Sequence, residues 1–222
     1  LRPRRTHSMK GLGRMKNNSE TETKKGGALN LPNTLSLIRV LLVPVFVLTL
    51  LFMRDIPVWG LVVPAIVYIL TALTDMLDGK IARKYNLITD FGKFIDPLAD
   101  KFMVLSSMIS ILVWMLLRGE ILLALIFVWV VLIILLRELG VTSLRLVVAG
   151  NSGIVVAASM LGKIKTVSQM VGTVVLIMEP IIPFFSENHI LSYAVMAIMA
   201  FTTLFSGIDY LKAYLPYINT NK

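Results

Sequence analysis

Four aspartates lie within a predominantly apolar chain, and they are the residues best suited to carry out chemistry in it. They are Asp75, Asp78, Asp96 and Asp100. An ionised carboxylate at the centre of a bilayer costs roughly 2.5–3.5 kcal/mol, so four of them require compensation. Carboxylates with no cysteine or histidine nearby form a hard ligand set, which suits Mg²⁺, Mn²⁺ or Ca²⁺ better than zinc or copper. Two such ions about 4 Å apart would stabilise both the attacking and the leaving oxygen at a phosphoryl group.

The spacing of the aspartates places each pair on one face of a helix. Asp75 and Asp78 are three residues apart, and Asp96 and Asp100 are four apart, which are the spacings of neighbours on a helix surface. A hairpin of two helices would bring both pairs together near one membrane surface. Carboxylates in membrane helices also pair with lysine or arginine, or relay protons. A cation or proton transporter is therefore the alternative from a different functional class.

The elements that must position these residues are predicted to be membrane-spanning helices. The chain has 222 residues, of which 56% are hydrophobic, and its mean hydropathy of +0.80 is too high for an ordinary soluble domain. Six apolar stretches are close to the roughly 20 residues that a spanning helix needs. They cover residues 37–53, 57–74, 94–117, 121–148, 167–185 and 190–211. We therefore predict an all-α integral membrane protein with six transmembrane helices, preceded by an amphipathic interfacial helix within residues 31–39.

The placement of positive charge predicts the orientation of these helices. The net charge is +9, and of the 22 lysine and arginine residues only Arg54 and Arg118 fall in the predicted outer loops. Because cytoplasmic loops are enriched in these residues, both termini are predicted to lie inside. The basic charge also attracts anionic lipid headgroups. Nucleic acid is not expected as a partner, because stacking aromatic residues do not accompany the cations.

The chain is predicted to consist of two parts. Residues 1–28 are basic and poor in large apolar side chains, so we expect a disordered extension, part of which resembles a remnant of cloning. Residues 29–222 form the membrane domain. The chain contains no cysteine, which excludes disulfides and thiolate metal sites.

The aspartates belong to a longer pattern that resembles a known family. The pattern D-x2-D-G-x2-A-R-x8-G-x3-D-x3-D is that of the CDP-alcohol phosphotransferases, whose members have six spans and are commonly homodimers. It is present here without a departure, at Asp75, Asp78, Gly79, Ala82, Arg83, Gly92, Asp96 and Asp100. The resemblance covers roughly residues 31–215.

The resemblance implies a metal site and a general base. Asp75, Asp78 and Asp96 correspond to metal ligands, and Asp100 corresponds to the general base, which also touches the metal. The expected cofactor is Mg²⁺ or Mn²⁺, bound as two divalent ions. These expectations agree with the chemistry of the carboxylates, since Asp100 is placed to accept a proton from an alcohol.

The resemblance also implies a site for the nucleotide of the donor. The cytidine and its phosphates are expected to contact Asp78, Gly79, Ala82 and Arg83. Asn33 and Arg39 are further candidates for contact with the donor phosphates. Helix capping by Asn33 and extension of Arg39 to the headgroups are the alternative explanations of these two residues.

A second group of basic residues bears on the acceptor alcohol. The segments that contain Arg137, Arg145, Lys163 and Lys165 are similar to the branch of the family that uses glycerol 3-phosphate. The phosphate of that acceptor requires cations beyond those that serve the donor. Glu138 is expected to pair with a nearby cation and orient it. Ordinary anchoring at the cytoplasmic membrane surface is the alternative explanation of the four cations.

The resemblance therefore implies a reaction at the cytoplasmic face of the cell membrane. A phosphatidyl group would pass from CDP-diacylglycerol to glycerol 3-phosphate, with CMP as the second product, among membrane lipids. The nearest alternative is a sibling enzyme with another acceptor, such as phosphatidylglycerol, as in cardiolipin synthases, or an inositol phosphate.

Overall fold

The computed structural model describes residues 31–85, 90–152 and 159–218, and for residues 31–32, 75–85, 90–91, 93, 149, 151–152 and 218 the description is confined to the backbone. All regular structure in these ranges is helical. The elements, in chain order, are α1 (Leu31–Phe52), α2 (Trp59–Tyr85), α3 (Asp90–Leu117), α4 (Ile121–Ser152), α5 (Met160–Met178), a 3-10 turn (Glu179–Ile181), α6 (Pro183–Ser186) and α7 (Ile190–Ile218).

Five of the described helices are long and apolar enough to cross a membrane. The segments are Asn33–Phe52, Phe94–Leu117, Ile121–Val148, Met160–Ile181 and Ile190–Tyr217. The second predicted span corresponds to a shorter apolar segment, Trp59–Thr74, because the remaining turns of α2 are polar. With 27 residues, α2 is about 40 Å long, which exceeds a hydrocarbon core of about 30 Å. The predicted all-α membrane fold is confirmed, with α2 as the helix that is only partly apolar.

The first and fifth helices begin earlier than the apolar stretches that predicted them. α1 is uninterrupted from Leu31, so within the described residues the predicted interfacial segment forms its first turns and not a separate helix. Asn33 therefore lies inside the first turn and does not cap it. α5 begins at Met160 because the Ser159 hydroxyl caps it, accepting a hydrogen bond of 3.2 Å from the Gly162 N–H. The extension predicted at residues 1–28 lies outside the described residues.

Two helices organise the packing of the bundle. α1 packs against both α2 and α3, and α7 packs against both α4 and α5. Gly172 makes the approach of α5 to α7 possible, since a Cβ atom there would lie 2.5 Å from the Met199 sulfur. The core buries large apolar side chains such as Trp114 and Phe127, while many other apolar side chains face outward, where a bilayer would cover them.

The polar ends of several helices meet at one end of the bundle. Residues 96–104 of α3, 137–145 of α4 and 162–170 of α5, together with Tyr210 of α7, surround a common cavity there. The candidate functional residues of the described part lie at this end, which is where the sequence predicted the cytoplasmic surface.

Candidate active site

One face of α1 carries three buried polar residues in an otherwise apolar helix. Asn33, Ser36 and Arg39 are spaced by three residues and are each at most 2% exposed. This spacing puts them on one side of the helix. Because a buried polar group costs free energy unless it is hydrogen-bonded, this face requires polar partners on a neighbouring helix.

The first turns of α3 supply those partners. The Ser36 hydroxyl donates a hydrogen bond of 2.5 Å to Asp96 Oδ1, and Arg39 Nη1 donates one of 2.5 Å to Asp100 Oδ1. The side chain of Arg39 is 1% exposed, whereas that of Asp100 is 54% exposed. Arg39 thus fixes one oxygen of Asp100 while much of the carboxylate faces the cavity. The alternative in which Arg39 extends to the headgroups is wrong, because its guanidinium turns inward to α3.

A second charged group lies across the cavity on α4 and α5. Arg137 Nη1 lies 3.1 Å from Glu138 Oε1, and Lys165 Nζ also pairs with that oxygen. All three side chains are largely buried: Arg137 is 12% exposed, Glu138 is 14% exposed and Lys165 is 5% exposed. The prediction that Glu138 pairs with a nearby cation is confirmed, and it pairs with two.

The aspartates of the first group and all three residues of the second group line one cavity of about 610 Å³. Its walls include Asp96 and Asp100 on one side and the four basic residues of the sequence prediction, Arg137, Arg145, Lys163 and Lys165. Carboxylates that could bind a cation therefore share a cavity with cations that could bind a phosphate. A cavity of this volume is large enough for a small polar substrate.

The four basic residues differ in how they are held. The side chains of Arg137 and Lys165 are largely buried and are paired with Glu138. A cation that only anchors the protein at a membrane surface would be exposed, so simple anchoring does not fit these two residues. Arg145 and Lys163 are exposed, and neither forms an ion pair with another residue of the described part. For these two, anchoring at the surface remains an alternative to substrate binding.

Five further residues of the aspartate pattern lie on the last turns of α2, and the sixth, Gly92, is buried in the first turn of α3. The backbone of α2 carries Asp75, Asp78, Gly79, Ala82 and Arg83, but their side chains lie outside the described residues. Among the described side chains, no group of three or more acidic or histidine residues could hold a metal ion. The described part of the chain contributes two carboxylates, Asp96 and Asp100, to the predicted ligand set.

Sequence reasoning missed Lys101 and Thr166, which line the cavity, and three further polar residues that contact the charged groups of the site. Ser36 binds Asp96, Ser206 accepts a hydrogen bond of 2.8 Å from Arg137, and the Tyr210 ring lies beside the same arginine. Ser36 could have been found from its position, because it lies three residues after Asn33 and three before Arg39 on the same helix face. For Ser206 and Tyr210 the only signal was their helical spacing of four residues on the last span.

Comparisons with known proteins agree with the resemblance. A family model described as CDP-alcohol phosphatidyltransferase matches residues 29–205, which include the whole aspartate pattern. The chain is 39% identical over 193 residues to a CDP-diacylglycerol--glycerol-3-phosphate 3-phosphatidyltransferase of Bacillus subtilis (strain 168), with 82% of this chain and 93% of that protein covered. It is 36% identical over 186 residues to a probable phosphatidylglycerophosphate synthase of Mycobacterium tuberculosis (strain ATCC 25618 / H37Rv), covering 82% and 79%. It is 32% identical over 200 residues to a protein of Pseudomonas fluorescens that has the same name as the Bacillus relative, covering 87% and 94%.

Proposed function

The chain belongs to the CDP-alcohol phosphatidyltransferase family, and we propose that it transfers a phosphatidyl group from CDP-diacylglycerol to glycerol 3-phosphate. The products are phosphatidylglycerol phosphate and CMP. The observation that carries this proposal is the single cavity in which Asp96 and Asp100 share the walls with five basic residues, which are Lys101 and the four basic residues of the sequence prediction. The names of the relatives from three bacteria support the same donor and acceptor.

The basic wall of the cavity accounts for the choice of acceptor. Glycerol 3-phosphate carries a doubly charged phosphate, which arginine and lysine bind through charge-assisted hydrogen bonds. Arg137 and Lys165 are fixed by Glu138, and Arg145 and Lys163 lie on the same cavity. We assign the acceptor phosphate to these four residues, because a cationic acceptor such as choline would be repelled there.

The acidic wall fits a divalent cation, and members of the family use divalent metal ions in general. Asp96 and Asp100 provide hard carboxylate oxygens one helical turn apart. Asp75 and Asp78 belong to the second half of α2, which packs against α1 as α3 does. We propose that these four aspartates hold Mg²⁺ or Mn²⁺, as two ions. When bound, such ions neutralise the charge of the donor diphosphate and of the departing CMP.

Asp100 is the proposed general base of the reaction. Arg39 fixes its Oδ1, and the exposed part of the carboxylate faces the cavity in which the acceptor would bind. Asp100 accepts the proton of the acceptor hydroxyl as that oxygen attacks the phosphorus bearing the diacylglycerol group. The bond between this phosphorus and the CMP oxygen breaks. In the same proposal Gly79, Ala82 and Arg83, with Asp78, contact the nucleotide, while Asn33 and Arg39 lie beside the donor phosphates.

An apolar groove beside the cavity provides a place for the lipid part of the donor. It has a volume of about 280 Å³ and lies between α2 and α5, where Tyr68, Ala72 and Val174 are among its lining residues. Met170 lines both this groove and the polar cavity. An acyl chain in the groove would thus stay in contact with lipid while the diphosphate reaches the aspartates.

The protein is a multi-pass membrane protein, and its placement follows from the proposed reaction. We propose that it lies in the cell membrane with both termini and the cavity on the cytoplasmic side, where glycerol 3-phosphate is available. The distribution of lysine and arginine supports this orientation. A homodimer is proposed from the family resemblance alone.

An acceptor assay tests the proposal. Purified protein is given CDP-diacylglycerol with glycerol 3-phosphate, phosphatidylglycerol or an inositol phosphate, and the release of CMP is measured. We expect glycerol 3-phosphate to give the highest kcat/KM. A preference for another alcohol would refute the assigned acceptor. Ion flux in liposomes without release of CMP from any acceptor would refute the enzyme assignment.

A further inference from the structure

The guanidinium of Arg137 is held from three directions by residues of α4 and α7. Nη1 donates a hydrogen bond of 3.1 Å to Glu138 Oε1, and Nη2 donates one of 2.8 Å to Ser206 Oγ. Cζ lies 5.2 Å from the centre of the Tyr210 ring, which is within the range of a cation–π interaction. Of the five N–H donors of an arginine, these contacts use two. The Nε–H is buried without a partner among the described residues, and one hydrogen on Nη1 and one on Nη2 remain for a further oxygen ligand.

Two glycines allow α7 to come this close to the arginine. A Cβ atom at Gly207 would lie 3.3 Å from Arg137 Cγ. A Cβ atom at Gly162, on α5, would lie 3.3 Å from both the ring and the hydroxyl oxygen of Tyr210. A side chain at either position would push against Arg137 or Tyr210, so the contact depends on close packing of three helices.

The Tyr210 ring is itself fixed in place. Its hydroxyl accepts a hydrogen bond of 3.3 Å from the Ser159 N–H, which lies just before α5. The Tyr214 ring stacks beside it, with centres 6.3 Å apart and an angle of 15° between the planes. Tyr210 is 4% exposed and lines the polar cavity. The ring is therefore a rigid support, and it is held from both sides.

We propose that Ser206 and Tyr210 are positioning residues, which orient the Arg137 guanidinium toward the phosphate of the acceptor. This inference rests on the proposed function, since it assigns the acceptor phosphate to Arg137. It adds α7 to the acceptor site, although neither Ser206 nor Tyr210 carries a charge. Because Arg has several rotatable bonds, loss of either support lets the guanidinium sample orientations that do not fit the phosphate.

The test compares Ser206→Ala and Tyr210→Leu with a matched control, Thr203→Val. Thr203 is fully buried on the same helix and accepts a hydrogen bond of 3.2 Å from Gln169 Nε2, so its substitution removes a buried contact between α5 and α7 without touching Arg137. For Ser206→Ala and Tyr210→Leu, KM for glycerol 3-phosphate is expected to rise on the order of tenfold, as for other hydrogen bonds to charged groups. KM for CDP-diacylglycerol should stay unchanged, and Thr203→Val should alter neither constant.

A double-mutant cycle shows whether Ser206 acts through Arg137. In an Arg137→Ala background, Ser206→Ala is expected to have no further effect on KM for glycerol 3-phosphate, because the group that it positions is gone. Equal effects in both backgrounds, or a rise in KM for Thr203→Val as large as for Ser206→Ala, would overturn the positioning role. Wild-type protein that does not use glycerol 3-phosphate would instead overturn the proposed function, and this inference with it.

Discussion

Arg39 and Asp100 are joined by a hydrogen-bonded ion pair of 2.5 Å although they are 61 residues apart in the chain. The arginine is completely buried in α1, and the aspartate lies on α3 with its carboxylate partly exposed to the cavity. A guanidinium that is fixed by packing restricts the carboxylate to a small set of orientations. The first helix therefore has a function beyond crossing the membrane, because it sets the position of the proposed general base.

The first prediction concerns this arginine. Arg39→Lys keeps the positive charge but loses the planar group that reaches Asp100 Oδ1. We expect kcat to fall by about tenfold or more because a misplaced base reduces turnover strongly, and we expect KM for glycerol 3-phosphate to change little. The control is Arg118→Lys, since Arg118 also pairs with a carboxylate, Glu120, at 2.9 Å, but lies in the turn between α3 and α4. If Arg39→Lys and Arg118→Lys have the same kcat, Arg39 does not position the base.

The second prediction concerns the base itself. Asp100→Asn preserves the shape of the side chain but cannot accept the proton of the acceptor, so kcat should fall by roughly 10²–10⁴-fold. The release of CMP measures this loss, and thermal unfolding of the purified variant shows that the fold is retained. Asp55→Asn is the control, because Asp55 is 85% exposed and lies in the loop between α1 and α2. Turnover of Asp100→Asn close to that of wild type would eliminate Asp100 as the base.

The third prediction concerns the divalent cation. Removal of metal with a chelator is expected to abolish the release of CMP, and addition of Mg²⁺ or Mn²⁺ should restore it, since four carboxylates near a diphosphate repel the substrate without cations. Asp96→Asn removes one proposed ligand, so this variant should need a higher metal concentration for half of its maximal rate. Full activity in the presence of excess chelator would contradict the metal assignment.

The fold class and most charged residues of the cavity followed from the sequence, either from local signals or from the family resemblance. A backbone in lipid must satisfy its own hydrogen bonds, so long apolar stretches predict helices with few alternatives. The positions of Asp96 and Asp100 followed from helical spacing, and those of Arg137 and Lys165 from a family resemblance. The hydropathy pattern was less informative for α2, since a single helix combines an apolar half with a polar half.

The hydroxyl groups that support the cavity could not be predicted in the same way. A serine or threonine in a membrane helix commonly bonds to the carbonyl oxygen three or four residues earlier. Thr71 and Ser110 do so in this structure, with distances of 2.7 and 2.6 Å. Ser36 and Ser206 instead bond to charged side chains that lie 60 and 69 residues away in the chain. Ser36 and Ser206 differ from Thr71 and Ser110 only because α1 packs on α3 and α7 packs on α4, and this packing is not visible in the local sequence.

The fourth prediction concerns Glu138, which is the shared partner of Arg137 and Lys165. Glu138→Gln keeps the size of the side chain but leaves two largely buried cations without their carboxylate. Removal of one member of a buried ion pair typically costs about 3 kcal/mol, which corresponds to a fall in Tm of roughly 6–12 °C for a chain of this length. KM for glycerol 3-phosphate should rise as well, because both cations lose the group that orients them.

A matched control variant shows whether the changes in Tm and KM are specific to Glu138 or follow from the loss of any acidic side chain. Glu187 is exposed in the segment between α6 and α7, so Glu187→Gln is expected to leave Tm and both KM values unchanged. Thermal unfolding and acceptor titrations are measured on both variants at the same lipid and salt concentration. If Glu138→Gln lowers Tm without changing KM for glycerol 3-phosphate, Glu138 only balances charge. If it changes neither quantity, the two cations do not depend on Glu138, and the acceptor site must be held together by other contacts.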